Sequence, residues 1–117
     1  MLTYEIIVRD NNEVVYQGLL SQMVSRYFKF RGYEIPDTSQ ATHFLVSEIG
    51  ELSDEVVNAM PKAWVRNHPE NKGKGIQGEL SDVLMMTAAV SNSINVDPIQ
   101  CFLDKTRSKG WNIAEEE

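Results

Sequence analysis

Residues 41–60 read ATHFLVSEIGELSDEVVNAM, and this stretch decides the fold. Ala41, Phe44, Leu45, Glu48, Ile49, Leu52, Val56 and Met60 recur at three and four residues, the period of a helix with one long stripe. The chain enters it through Ile35-Pro36-Asp37-Thr38, a breaker followed by capping residues, and Pro61 closes it. Glu48, Glu51 and Glu55 lie within it. At about 100° of rotation per residue they share one side of the helix, bracketed by Leu45, Ile49 and Leu52.

The next amphipathic stretch runs from about Gln77 to Ser93 on Leu80, Val83, Leu84, Thr87, Ala88 and Ser91, with small residues toward its end that allow close helix approach. It carries a second acid pair, Glu79 and Asp82, bordered by Leu80, Val83 and Leu84. If the two helices pack antiparallel, Glu48, Glu51, Glu79 and Asp82 converge, and four carboxylates in a partly desolvated cleft repel strongly. A hard cation resolves that conflict. Acids near helix starts also complement the macrodipole and face water, so spacing alone leaves both readings open.

Working outward, Leu19, Leu20, Met23, Val24, Tyr27 and Phe28 predict a helix over Leu19 to Arg31, stopped by Gly32. Asp97-Pro98 predicts an N-cap with proline at the first helical position, opening a fourth helix through Ile99, Phe102 and Leu103 that Gly110 ends. Before the helices, Tyr4, Ile6 and Val8 alternate up to Asp10-Asn11-Asn12, and Val14 and Tyr16 alternate after it, which predicts a β-hairpin. Lys62 to Gly78 is a glycine-containing basic connection with Lys62, Arg66, Lys72 and Lys74, and Glu115 to Glu117 reads as a disordered tail. The fold class is therefore mainly α: a four-helix bundle with an N-terminal hairpin, in a single domain over residues 1–117.

With 17 acidic and 11 basic side chains, the net charge of −6 argues against sequence-independent nucleic-acid binding, which needs clustered lysines and arginines. No apolar run approaches the roughly 20 residues of a membrane helix. The lone Cys101 can form no internal disulfide, and Met1 to Asp10 is too short and charged for an apolar signal core, so a reducing, cytoplasmic setting is expected. Cys101, beside Phe102, is expected to be a small buried side chain, and His43 and His68 have no spaced partner for a metal.

Ser47-Glu48-Ile49-Gly50-Glu51-Leu52 and Gly78-Glu79-Leu80-Ser81-Asp82-Val83-Leu84 resemble the paired motifs of the MazG-like all-α nucleoside triphosphate pyrophosphohydrolases. Those families show Glu-Glu-x-x-Glu followed, after a variable gap, by Glu-x-x-Asp. The resemblance covers roughly Gln22 to Trp111 and includes the helix order. It departs in two places: Ser47 stands where the first glutamate of the pair is usual, and the hairpin is an addition to the helical core. Glu55 is a candidate substitute for the missing carboxylate.

The resemblance implies a four-helix MazG-like bundle; a bundle this small with long amphipathic helices tends to leave an apolar face uncovered, so a homo-oligomer, a homodimer or homotetramer, is expected. It implies Mg²⁺, with Mn²⁺ as an alternative, held on Glu48, Glu51, Glu79 and Asp82, a ligand set apt for a hard cation. It also implies a nucleoside triphosphate substrate cut between its α and β phosphates, with Glu48 and Glu51 as catalytic residues and Glu51 handling the attacking water. Lys105, Arg107 and Lys109 resemble the family's basic C-terminal motif and are candidate phosphate ligands, although Thr106 replaces a usual asparagine; solvated lysines at a helix C-terminus are the plain alternative. Trp64 and Trp111 are candidates for stacking on a base or for packing. A helical module that binds nucleotide or protein without turnover is the competing expectation, and Ser47 favours it. A di-iron carboxylate bundle is disfavoured, because neither acid pair has a histidine three residues later.

Overall fold

The computed structural model describes residues 1–59 and 75–115. Strands β1 (Ile6–Asp10) and β2 (Glu13–Gly18) form the antiparallel hairpin, followed by helices α1 (Leu20–Arg31), α2 (Thr38–Asn58), α3 (Ile76–Ser93) and α4 (Pro98–Ser108). The chain is mainly helical, as its periodicity predicts. No helix among the described residues is long and apolar enough to cross a membrane.

Asn11 and Asn12 take φ of 50° and 68°, the paired left-handed geometry of a tight hairpin turn. Val8 pairs with Tyr16 and Arg9 with Val14, so Val15 is an extra residue in β2. This bulge breaks the alternation expected of Val14 and Tyr16: Tyr16 is half-buried, while Val14 and Val15 face solvent.

One carboxylate ties the hairpin and two helices together. Asp97 caps α4 by accepting from the amides of Ile99 at 3.0 Å and Gln100 at 3.1 Å. Its other oxygen accepts from the amide of Ser21, at 3.0 Å, in the first turn of α1. The Tyr4 hydroxyl donates to Asp97 and accepts from the Leu20 amide at 2.8 Å. Orphan amides of two helix starts thus converge on a single anion.

α2 begins at Asp37, whose carboxylate accepts from the Gln40 amide at 2.8 Å while the Gln40 side chain accepts from the Asp37 amide at 3.2 Å. It packs chiefly on α3, and the order is antiparallel: the Thr38 and Ser93 hydroxyls bond at 2.7 Å at one end, while Glu55 meets Gly75 at the other. Ala41, Ala88 and Ala89 are fully buried and let the backbones close together; Leu20, Val24 and Phe28 of α1 complete the core. Asn92 fixes α1 to α3 by donating to the Ser21 carbonyl and the Ser25 hydroxyl, at 3.1 and 2.9 Å.

This core is small, and among the described residues no large side chain is fully buried. Several residues of the predicted stripes stay open: Phe44 is 53% exposed, Ile49 49%, Leu80 53% and Leu84 49%. The radius of gyration, 17.4 Å, exceeds the about 13 Å of a compact chain of ~100 residues. Three smaller expectations are corrected. Gly78 lies inside α3, Cys101 is exposed on the outer side of α4, and Glu115 ends a short 3-10 turn, Ile113–Glu115.

Candidate metal centre

Antiparallel packing sets the middle of α2 against the first turns of α3, and their acids meet there. Carboxylate oxygens of Glu48, Glu51 and Glu79 all lie within 4.8 Å of one another. Glu48 and Glu79 are half-buried and Glu51 is exposed, so the cluster opens to solvent on the Glu51 side. Oε2 of Glu48 and Oε2 of Glu79 are buried without a hydrogen-bond partner. A buried carboxylate oxygen left unpaired is costly, so two at one place make the site favour either protons or a cation.

The fourth acid, Asp82, falls outside that tight group but shares a cavity with Glu48. The cavity holds about 230 Å³ and is walled by Tyr27, Phe28, Tyr33, Met85 and Met86 as well as the two acids. Burial, the hydrogen bond with Glu51, and the charges of Glu51, Asp82 and Glu79 push the Glu48 carboxyl up to about 7. Burial, with the Glu51 and Asp82 charges, also raises Glu79. Without a cation the cluster relieves its repulsion by taking up protons.

Glu55 does not join this group. Its carboxyl lies against Gly75, the residue that caps the start of α3, so a β-carbon at that position would run into it. There it answers the positive end of the α3 dipole instead of replacing the carboxylate missing at Ser47. Ser47 itself is exposed.

Three of the basic candidates sit together at the end of α4. Lys105 and Arg107 are exposed in the last turn of α4 and Lys109 is its C-cap; none forms an ion pair among the described residues. Trp111 follows, 41% exposed. Trp64, Lys62, Arg66, His68, Lys72 and Lys74 lie outside the described residues, as do Met60 and Pro61. His43 is exposed on α2 and is not part of the carboxylate group.

Sequence reasoning missed the aromatic wall, most of all Tyr33. Gly32 ends α1 in the left-handed region, φ 71°, and the amides of Gly32 and Tyr33 bond back to Lys29 and Phe28 carbonyls at 3.1 and 2.9 Å. This double bond pattern turns the chain so that Tyr33 stands edge-on to Phe28, ring centroids 5.9 Å apart. The readable signal was the glycine, whose stop also implies a returning residue behind it.

Compared with protein-family models, curated proteins and solved structures, the chain matched none. The donor set speaks for itself: clustered carboxylate oxygens, two of them buried and unpaired, suit a hard divalent cation such as Mg²⁺ or Mn²⁺.

Proposed function

We propose that the chain is a Mg²⁺-dependent nucleoside triphosphate pyrophosphohydrolase of the MazG-like kind, releasing a nucleoside monophosphate and pyrophosphate. The observation that carries this reading is the pair of buried, partnerless oxygens, Glu48 Oε2 and Glu79 Oε2, meeting beside the solvent-open Glu51. Glu48, Glu51, Glu79 and Asp82 hold the metal, with Asp82 serving the side that faces the aromatic cavity.

Bound metal supplies Lewis-acid charge to phosphoryl oxygens and lowers the pKa of water. The chain's own contribution is proton handling and shape. Glu51 is exposed and hydrogen-bonded to Glu48, so it takes the proton of the water that attacks the α-phosphorus while the α–β bridging bond breaks. Glu48 is the less solvated partner and holds Glu51 in place. Tyr27, Phe28 and Tyr33 exclude water from one flank and offer faces for a base. The exposed apolar faces of α2 and α3 support assembly as a homodimer or homotetramer, and the acidic chain with one exposed thiol suits a reducing cytoplasm.

A panel of ribo- and deoxyribonucleoside triphosphates with Mg²⁺ tests this reading through the products formed. Monophosphate and pyrophosphate are expected; diphosphate and orthophosphate alone would overturn the cleavage position. Ser47, in place of a carboxylate, favours one alternative, a non-catalytic nucleotide-binding module. Metal-dependent binding without any pyrophosphate release would establish it.

A further inference from the structure

Among the described residues β1 and β2 form a sheet of two strands, a unit that is marginal in water unless something extends or covers it. β2 carries the bulge at Val15 and lies against α1, and both features close an edge to further pairing. The outer edge of β1 is different. Among the described residues, Ile6–Asp10 make no backbone hydrogen bond outside the hairpin.

The register determines which groups that edge offers. The two-residue turn Asn11-Asn12 closes on the pair Asp10 and Glu13, so these two bond across the hairpin, and the alternation of an antiparallel ladder then turns the amides and carbonyls of Arg9 and Ile7 outward. The bulge puts its extra residue in β2, so the alternation along β1 is unbroken and Glu5, the residue before the strand, faces out as well. The side chains of Glu5, Ile7 and Arg9 are all exposed. Ile7 thus sits at the centre of a free edge, with an acid two residues before it and a base two residues after it. Gln17 donates to one Glu5 oxygen at 2.6 Å and leaves the other open, and Arg9 forms no ion pair among the described residues.

This edge is complementary to itself. Two β1 strands running antiparallel about a two-fold axis at Ile7 bond through their outward amides and carbonyls, with Ile7 opposite Ile7 and Glu5 of each copy opposite Arg9 of the other. A slip of two residues either way sets a charge against Ile7 and loses the pairing of opposite charges, so the charges choose the register. We propose that β1 is a docking edge for a second copy of this chain, joining two hairpins into one four-stranded antiparallel sheet. The contact lies on a different element from the exposed faces of α2 and α3, and it does not rest on the pyrophosphohydrolase reading.

The test exchanges the charges in the full chain. Glu5→Arg sets base against base at both ends of the seam, and Arg9→Glu sets acid against acid, so either variant alone should raise the Kd of self-association in equilibrium sedimentation about tenfold or more. Mixed in equal amounts, the two variants place opposite charges at both ends and should recover the association of the wild type. Both side chains are on the surface, and circular dichroism checks that each variant folds. Hydrogen exchange reads the seam apart from any other contact: in the wild type the amides of Ile7 and Arg9 should slow as protein concentration rises, and in either variant alone the Ile7 amide should not. Variants that associate as the wild type does overturn the pairing. So do Ile7 and Arg9 amides that exchange equally fast from micromolar to millimolar protein, a result that leaves the edge to a strand from a different protein.

Discussion

The amide of Ser21, at the start of α1, donates to the Asp97 carboxylate across 3.0 Å, although the two residues are 76 positions apart. Asp97 therefore serves two helices, and it is 7% exposed. Its burial alone would raise its pKa, but the bonds from Tyr4 and from the Ser21 and Gln100 amides outweigh that and hold it below the ordinary carboxylate range. Asp97→Ala should cost about 2–4 kcal/mol in urea unfolding, the sum of a lost cap and of buried donors left unpaired. Because the folded pKa is depressed, this stabilisation is present above the unfolded value, near 3.8, and is lost as pH falls through the lower folded value. A loss equal to that of an ordinary exposed cap, about 1 kcal/mol, would show that the bond to α1 contributes nothing.

Tyr4→Phe isolates the hairpin's share. Burial, then the bond to Asp97, pushes the Tyr4 hydroxyl up to about 12, so it stays a donor at any physiological pH. Its removal leaves the Leu20 amide without a partner and should cost about 1–2 kcal/mol. Hydrogen exchange at Leu20 should quicken correspondingly.

Glu48 makes the metal-free protein less stable as pH rises. Its folded pKa, about 7, stands above the ordinary 4.5, so its contribution is complete below about 4.5 and disappears as pH climbs through about 7. Thermal unfolding in EDTA should give a lower Tm at pH 8 than at pH 6. Mg²⁺ should reverse that trend by binding the ionised cluster. Glu48→Gln should flatten the EDTA profile and abolish the Mg²⁺ gain; an unchanged profile would mean that Glu48 is not the group concerned.

Glu51→Gln should lower turnover by about 100-fold or more if it carries the proton, with helical content intact. Asp82→Ala should weaken Mg²⁺-supported turnover similarly. Glu55→Gln is the informative contrast: its carboxyl sits at the α3 terminus, so it should cost about 0.5 kcal/mol of stability and leave Mg²⁺ affinity alone. Lost metal binding in that variant would return Glu55 to the ligand set.

Leu84→Glu tests the exposed face of α3. Light scattering after size-exclusion chromatography should find the wild type as a dimer or larger and the variant shifted toward monomer. A wild type that is monomeric at tens of micromolar would refute assembly through this face.

The helices and the convergence of three acids were legible because each rests on local rules: period, caps and the i, i+3 spacing of carboxylates. Asp97-Pro98 announced the start of α4 for the same reason. What stayed hidden depended on distant partners. Nothing local links Asp97 to Ser21 or Tyr4, and the bulge at Val15 moves Val14 to the outer face against the strand's alternation. Cys101 is small and apolar enough to be buried, yet α4 turns both it and Phe102 outward. Phe44, Ile49, Leu80 and Leu84 match core spacing, but one chain of this size has too few elements to cover every stripe.

The alanine seam between α2 and α3 works like the pivot of a pair of tongs. Ala41 and Ala89 close one end of the helix pair, and Glu48 lies seven residues further along α2, roughly 10 Å away at 1.5 Å per residue. Thickening the pivot by a methyl group or two, as in Ala89→Val, splays the jaws where the carboxylates stand. The separation of the Glu48 and Glu79 carboxylates is thereby set in part by residues that touch neither of them.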